Sequence, residues 1–146
     1  MAVSGKSYGQ AIMEAFDKEI DWVADTIKVM LCTALTIDQD GDVYMGDVTK
    51  TEVSESGTNY TAGGATLSNK SLGYTAGTNV IKFDADDVTW ATSTITASHA
   101  IIYLSTGNAA TDLLLGYIDF DGNKTSSAGT FTITWSADGI FTITPA

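Results

Sequence analysis

Apolar positions in this chain recur with a helical period only once and with period two through most of the rest. The helical stretch is residues 8–18. There Ile12, Met13 and Phe16 form one stripe, Ala11 and Ala15 favour helix, and Glu14, Asp17 and Lys18 fall on the other side. Ser7 is placed to cap it. A helix this short is marginal alone and must dock on its own sheet or on a neighbouring subunit. The run Thr26-Ile27-Lys28-Val29-Met30-Leu31-Cys32-Thr33, entered through Asp21-Trp22, predicts a strand buried on most of both faces. Residues 37–56 are acidic, contain glycine and keep no period, which predicts a long loop.

Beyond that loop the punctuation is that of an all-β fold. Strands are expected over 66–74, 80–84, 88–95, 100–104, 113–120, 130–135 and 139–144. Turn residues separate most of them: Ala76-Gly77-Thr78-Asn79, Thr106-Gly107-Asn108, Asp121-Gly122-Asn123 and Ala137-Asp138-Gly139. The last turn lies between two copies of Phe-Thr-Ile-Thr, at 131–134 and 141–144, and predicts a hairpin. Pro145 then ends the sheet. Tyr-Thr-Ala-Gly also occurs twice, at 60–63 and 74–77, as repeated turn chemistry rather than a solenoid period. The expected fold is a mainly β, antiparallel β-sandwich or jelly-roll-like domain with one short N-terminal helix, an open barrel being the alternative. Residues 1–146 form one domain, with 1–20 as N-terminal arm or helix and 37–56 as the acidic loop.

Composition narrows the function classes. Eighteen acids stand against seven lysines and no arginine, for a net charge of −11. Such a surface repels phosphate backbones and anionic membranes, so no nucleic-acid or membrane partner is expected. No apolar stretch approaches the roughly 18 residues of a membrane span, and no secretory signal is expected, because Met1-Ala2-Val3-Ser4-Gly5 has no apolar run behind it. The chain is expected to act as a soluble intracellular protein or in a particle assembled inside a cell.

Catalytic equipment is sparse: one histidine (His99), one cysteine (Cys32) and one proline. Cys32 lies in an apolar run and reads as a small buried hydrophobe. Asp38, Asp40 and Asp42 suggest a calcium loop, but Val43 and Thr49 stand where an EF-hand needs Gly and Glu; a solvated acidic loop is the simpler reading. Asp84, Asp86 and Asp87 offer paired carboxylates, yet they occupy a strand junction where Asp is a good turn residue. Any Ser-His-Asp site would need His99, and no G-x-S-x-G elbow is present. One His and one Cys cannot close a zinc site. Gly5-Lys6-Ser7 lacks the rest of a phosphate loop. Asn59, Asn69 and Asn123 stand in N-x-[ST] contexts that matter only in a secreted chain. Trp22, Trp90, Trp135, Tyr60, Tyr74, Tyr103 and Tyr117 could form a sugar-stacking face, with core or intersubunit packing as the default. Neither an enzyme nor a cofactor is expected.

The stretch from Phe16 to Cys32, containing Ile20-Asp21-Trp22, Asp25-Thr26-Ile27-Lys28-Val29 and Leu31, resembles the opening of a family of small virion proteins of tailed bacteriophages. The resemblance continues through Asp47-Val48, Glu52-Val53, Gly57, Tyr60-Thr61-Ala62-Gly63-Gly64-Ala65 and Asp84-Ala85-Asp86-Asp87-Val88-Thr89-Trp90. It extends through Ile101-Ile102-Tyr103, Leu115-Gly116-Tyr117-Ile118-Asp119-Phe120 and Phe131-Thr132-Ile133-Thr134-Trp135, nearly the whole chain. It implies a structural role without catalytic residues. Capsid decoration (cement) comes first, bridging capsomers of the major capsid protein at the virion surface after assembly in the host cytoplasm. A tail or fibre module binding a host glycan comes second, and a glycan-cleaving site around Asp84, Asp86 and Asp87 is a distant third. A homo-oligomer, dimer or trimer, is expected on a symmetric shell. Ile12, Met13, Phe16 and Trp22 are the candidate interface residues, with Phe16 and Trp22 as anchors; the competing reading packs the stripe on the domain's own sheet.

Overall fold

A computed structural model describes residues 2–8, 15 and 20–145. Of the expected helix over 8–18 only Tyr8 and Ala15 are described; Ile12, Met13 and Phe16 lie outside the described residues. The described chain is mainly β, and no helical element is among its strands: β1 (Ala2–Val3), β2 (Lys6–Ser7), β3 (Ile27–Leu35), β4 (Lys50–Glu52), β5 (Ala65–Thr66), β6 (Ser71–Thr75), β7 (Val80–Asp84), β8 (Val88–Ser93), β9 (Thr96–Leu104), β10 (Leu113–Thr125), β11 (Gly129–Trp135) and β12 (Phe141–Ile143). They form three sheets, ordered β2-β10-β9-β3-β4 with β5 also on β3, then β1-β11-β8, then β12-β7-β6. All pairings are antiparallel except β1 with β11.

The long central strands are those with the densest apolar runs. β3 and β9 pair in unbroken register from Ile27↔Leu104 to Cys32↔His99. Ile27, Val29, Leu31, Ile101, Ile102, Leu114 and Ile118 are fully buried, as strands covered on both faces must be. Alternation governs β11, the middle strand of the β1-β11-β8 sheet. In β11, Phe131, Ile133 and Trp135 are buried while the threonines between them are not. Phe131 stands edge-on to Phe120 of β10 and to Trp90 of β8, with ring centroids 6.2 and 6.0 Å apart. Phe141 of β12 approaches β10 so closely that a Cβ on Gly116 would fall 2.5 Å from its ring.

Several expectations are corrected. The two Phe-Thr-Ile-Thr segments do not form a hairpin: β11 pairs with β8 and β1, whereas β12 pairs with β7 in another sheet. Gly139, at φ +98°, turns the chain between sheets, where a Cβ would meet the Phe83 carbonyl at 2.7 Å. Asp121-Gly122, both at positive φ, is an irregularity inside β10, which runs on to Thr125 with a register shift between Asp119 and Lys124. The strand expected over 66–74 is broken into β5 and β6 around Asn69, at φ 49°. The segment 37–56 is not one open loop. It contains β4, buries Met45, Val48 and Val53, and bonds to the 109–114 segment through Met45 N–H to Asp112 O and Gly46 N–H to Ala109 O, both 2.8 Å. Ser7 sits in β2 opposite Gly116.

Candidate functional site

Each acidic cluster singled out in the sequence is engaged with the protein's own backbone. Asp38 Oδ1 accepts the amides of Asp40 (3.2 Å) and Gly41 (2.9 Å), and Asp42 Oδ2 accepts that of Asp38 (3.2 Å). Asp47 Oδ2 takes those of Val43 and Tyr44. These are turn-closing bonds. Among the described residues no group of three or more His, Cys, Asp or Glu is disposed to hold a metal ion.

The segment from Asp84 to Asp87 is a joint between two sheets. The Trp22 indole N–H donates to the Asp84 carbonyl at 3.2 Å, and the Trp135 indole N–H to the Asp86 carbonyl at 2.9 Å. Asp87 Oδ1 accepts the Trp135 amide at 2.9 Å, while Asp86 Oδ2 accepts from Asn69 at 2.6 Å and Ser68 at 3.3 Å. Asp84 is paired with Lys82 at 2.8 Å. Each carboxylate has its own partner within the protein. The Asp84 and Asp86 carbonyls and the Asp87 carboxylate fasten the β7–β8 joint to two buried tryptophans.

A second joint is the Tyr60–Gly64 segment. The Tyr60 hydroxyl accepts the Leu31 amide (3.0 Å) and donates to Glu52 Oε1 (2.9 Å), which also accepts the Gly63 amide (2.6 Å). Tyr103 Oη donates to the Gly63 carbonyl at 2.7 Å. Gly63 and Gly64 both lie at positive φ, and a Cβ on Gly64 would fall 1.9 Å from the Val29 carbonyl. Only glycine lets the segment lie this close to β3. Its composition signals a turn, but the contact with β3 needs the tertiary fold to be visible.

His99 is held by contacts on both ring nitrogens. Ser98 Oγ donates to the Thr33 carbonyl at 2.8 Å and meets His99 Nδ1 at 2.8 Å. His99 Nε2 lies 3.8 Å from Asp119 Oδ1.

Of the proposed sugar-stacking aromatics, Trp22, Trp90, Trp135, Tyr60, Tyr103 and Tyr117 are buried, and Tyr74 alone is exposed. Trp22, a candidate anchor for a partner, packs edge-on to Phe83 and Phe141, with centroids 5.6 and 6.1 Å away. A shallow polar cleft of about 270 Å³ lies between the 4–5 and 136–142 segments, and Asp138 is its one ionisable side chain.

Burial sets the ionisation of the interior. Cys32 is pushed from 9.0 up to about 12, first by burial and then by the Glu52 carboxylate. Tyr8 and Tyr103 go from 10.0 up to about 12, by burial and then by Asp42 and Asp112 respectively; burial raises Tyr60 as well. The folded state therefore holds these protons where the unfolded chain releases them. Their stabilising contribution is complete below about pH 9 and declines as pH rises from about 9 to 12. Denaturant midpoints measured against pH should fall over that window, and Cys32 should resist alkylation at pH 8 until the chain unfolds.

Comparison with known protein families, curated proteins and solved structures finds no match.

Proposed function

We propose that this protein is a structural component of a tailed-bacteriophage virion, a capsid decoration (cement) protein that bridges capsomers of the major capsid protein. The sequence resemblance supplies the reading. The observation that supports it is that the resembling segments Trp22, Tyr60–Gly64, Asp84–Trp90 and Phe131–Trp135 are the joints of the framework, each fastened by the bonds described above. A shell under outward pressure from packaged DNA calls for a module held together in this way. The strong negative charge suits it to stay dispersed until the shell exists.

We infer further that the three sheets form a β-sandwich. The β2-β10-β9-β3-β4 sheet makes one layer, and the two three-stranded sheets together make the other. The Phe120–Phe131 contact and the fit of Phe141 over Gly116 support this arrangement.

Purified protein added to undecorated shells should bind stoichiometrically at symmetry-related positions. Failure to bind, combined with capture of a defined glycan on an array, would favour the tail or fibre reading. That alternative has less support, because six of its seven candidate aromatics are buried.

A further inference from the structure

The sheets expose several edges, and most carry a feature that discourages pairing. β2 bears Lys6, and β4 bears Lys50 and Glu52. β8 is distorted at Thr92, φ 53°, and its Ala91 carbonyl is taken by the Asn59 side chain at 2.8 Å. β12 is three residues long and is followed by Pro145. β1 has only two residues.

β6 has none of these features. It is five residues long, uncharged and free of proline, and it pairs with β7 without a register shift from Ser71↔Asp84 to Thr75↔Val80. All five residues are exposed. Leu72 and Tyr74, 51% and 59% exposed, share one face and carry the rows Leu72–Phe83–Phe141 and Tyr74–Ile81–Ile143 out to the strand's open side. Trp22 covers the Phe83 and Phe141 end of that face; Leu72 and Tyr74 continue it into solvent. Tyr74 is also held in place, since its hydroxyl donates to Asn79 Oδ1 at 2.6 Å while Asn79 Nδ2 reaches the Pro145 carbonyl at 2.8 Å. An exposed aromatic fixed in advance loses little freedom on binding.

We propose that β6 is the self-association edge of this protein, and that two copies pair β6 antiparallel about a two-fold axis through Gly73. The occupant is a second copy for two reasons. In a chain of net charge −11, like charges hold copies apart wherever acidic surfaces meet, but residues 71–81 bring no charge to the contact. The strand is also complementary to itself. With Gly73 opposite Gly73 of the second copy, Leu72 falls opposite Tyr74 and Tyr74 opposite Leu72, on one face of a continuous six-stranded sheet. A shift of one residue would set apolar against polar faces. The pairing is independent of the virion reading and is tested without any shell.

Sedimentation of the full chain from micromolar to near-millimolar concentration should show a reversible dimer. The substitution pair Leu72→Lys and Tyr74→Lys alters two exposed side chains and places four like charges in the contact. It should weaken the dimer by on the order of 100-fold or more, with the melting temperature retained. Gly73 has open space where a Cβ would project, and antiparallel partners stand about 4.5–5.5 Å apart at Cα. Gly73→Cys should therefore give a disulfide-linked dimer on mild oxidation. A chain that stays monomeric throughout overturns the proposal. So does a dimer indifferent to the lysine pair, or a strictly monomeric chain whose β6 instead takes an unrelated extended peptide.

Discussion

Trp22→Ala is expected to destabilise the protein by about 3–5 kcal/mol, the range for truncating a buried aromatic. The side chain is 4% exposed and stands edge-on to both Phe83 and Phe141. Its indole N–H is bonded to the Asp84 carbonyl, so removal also costs that acceptor its partner. Trp22 couples the entry to β3 with the β12-β7-β6 sheet, and the loss should open that sheet's apolar face before the central strands. Chemical denaturation followed by tryptophan fluorescence and by far-ultraviolet circular dichroism measures the loss. A fall of less than about 1 kcal/mol, with weakened binding to a partner, would instead make Trp22 an external anchor.

Gly64→Ala is expected to cost about 2–5 kcal/mol, from two sources that act together. At φ +79° an L-residue is strained by roughly 1–2 kcal/mol, and the added Cβ would lie 1.9 Å from the Val29 carbonyl and 2.8 Å from Met30 Cα. The atoms in the way are backbone of a central strand, so relief requires the 60–64 segment to lift away, at a further cost typical of overpacking, about 1–3 kcal/mol. Lifting it strips Glu52 of the Gly63 amide and Tyr103 of its carbonyl acceptor. Gly77→Ala, in the second Tyr-Thr-Ala-Gly copy, is the control. Nothing lies within 4 Å of its Cβ position and its φ is ordinary, so its effect should stay within about 0.5 kcal/mol. Equal melting temperatures for the two variants would contradict this account.

The contrast between those two copies shows what sequence could reach. Identical local chemistry places Tyr60 in the core and Tyr74 in solvent, because only the first copy is laid across β3. Strand identity was legible for β3 and β11, where an apolar run or strict alternation matches burial directly, and β7 falls on its expected bounds although all five of its residues are half-buried. Strand partners were less so. The two Phe-Thr-Ile-Thr segments carry hairpin chemistry between them, but Trp135 is drawn to Asp86 and Asp87 and the Ile140 amide to the Phe83 carbonyl at 2.8 Å. Long-range bonds at both ends separate the strands into different sheets. Asp121-Gly122-Asn123 misled for a related reason: the residues that permit positive φ in a turn permit it equally in a bulge. The aspartates of 84–87 read correctly as junction residues, but the bonding of both tryptophans to that junction had no local signal.

If the protein is a cement, its binding must strengthen the shell. The most direct measurement is therefore the temperature at which DNA-filled particles release their DNA, with and without saturating amounts of the purified chain. The account predicts that release moves to higher temperature in proportion to occupancy and reverts when the protein is removed. Saturated binding with an unchanged release temperature, or no binding to the shell, would contradict it.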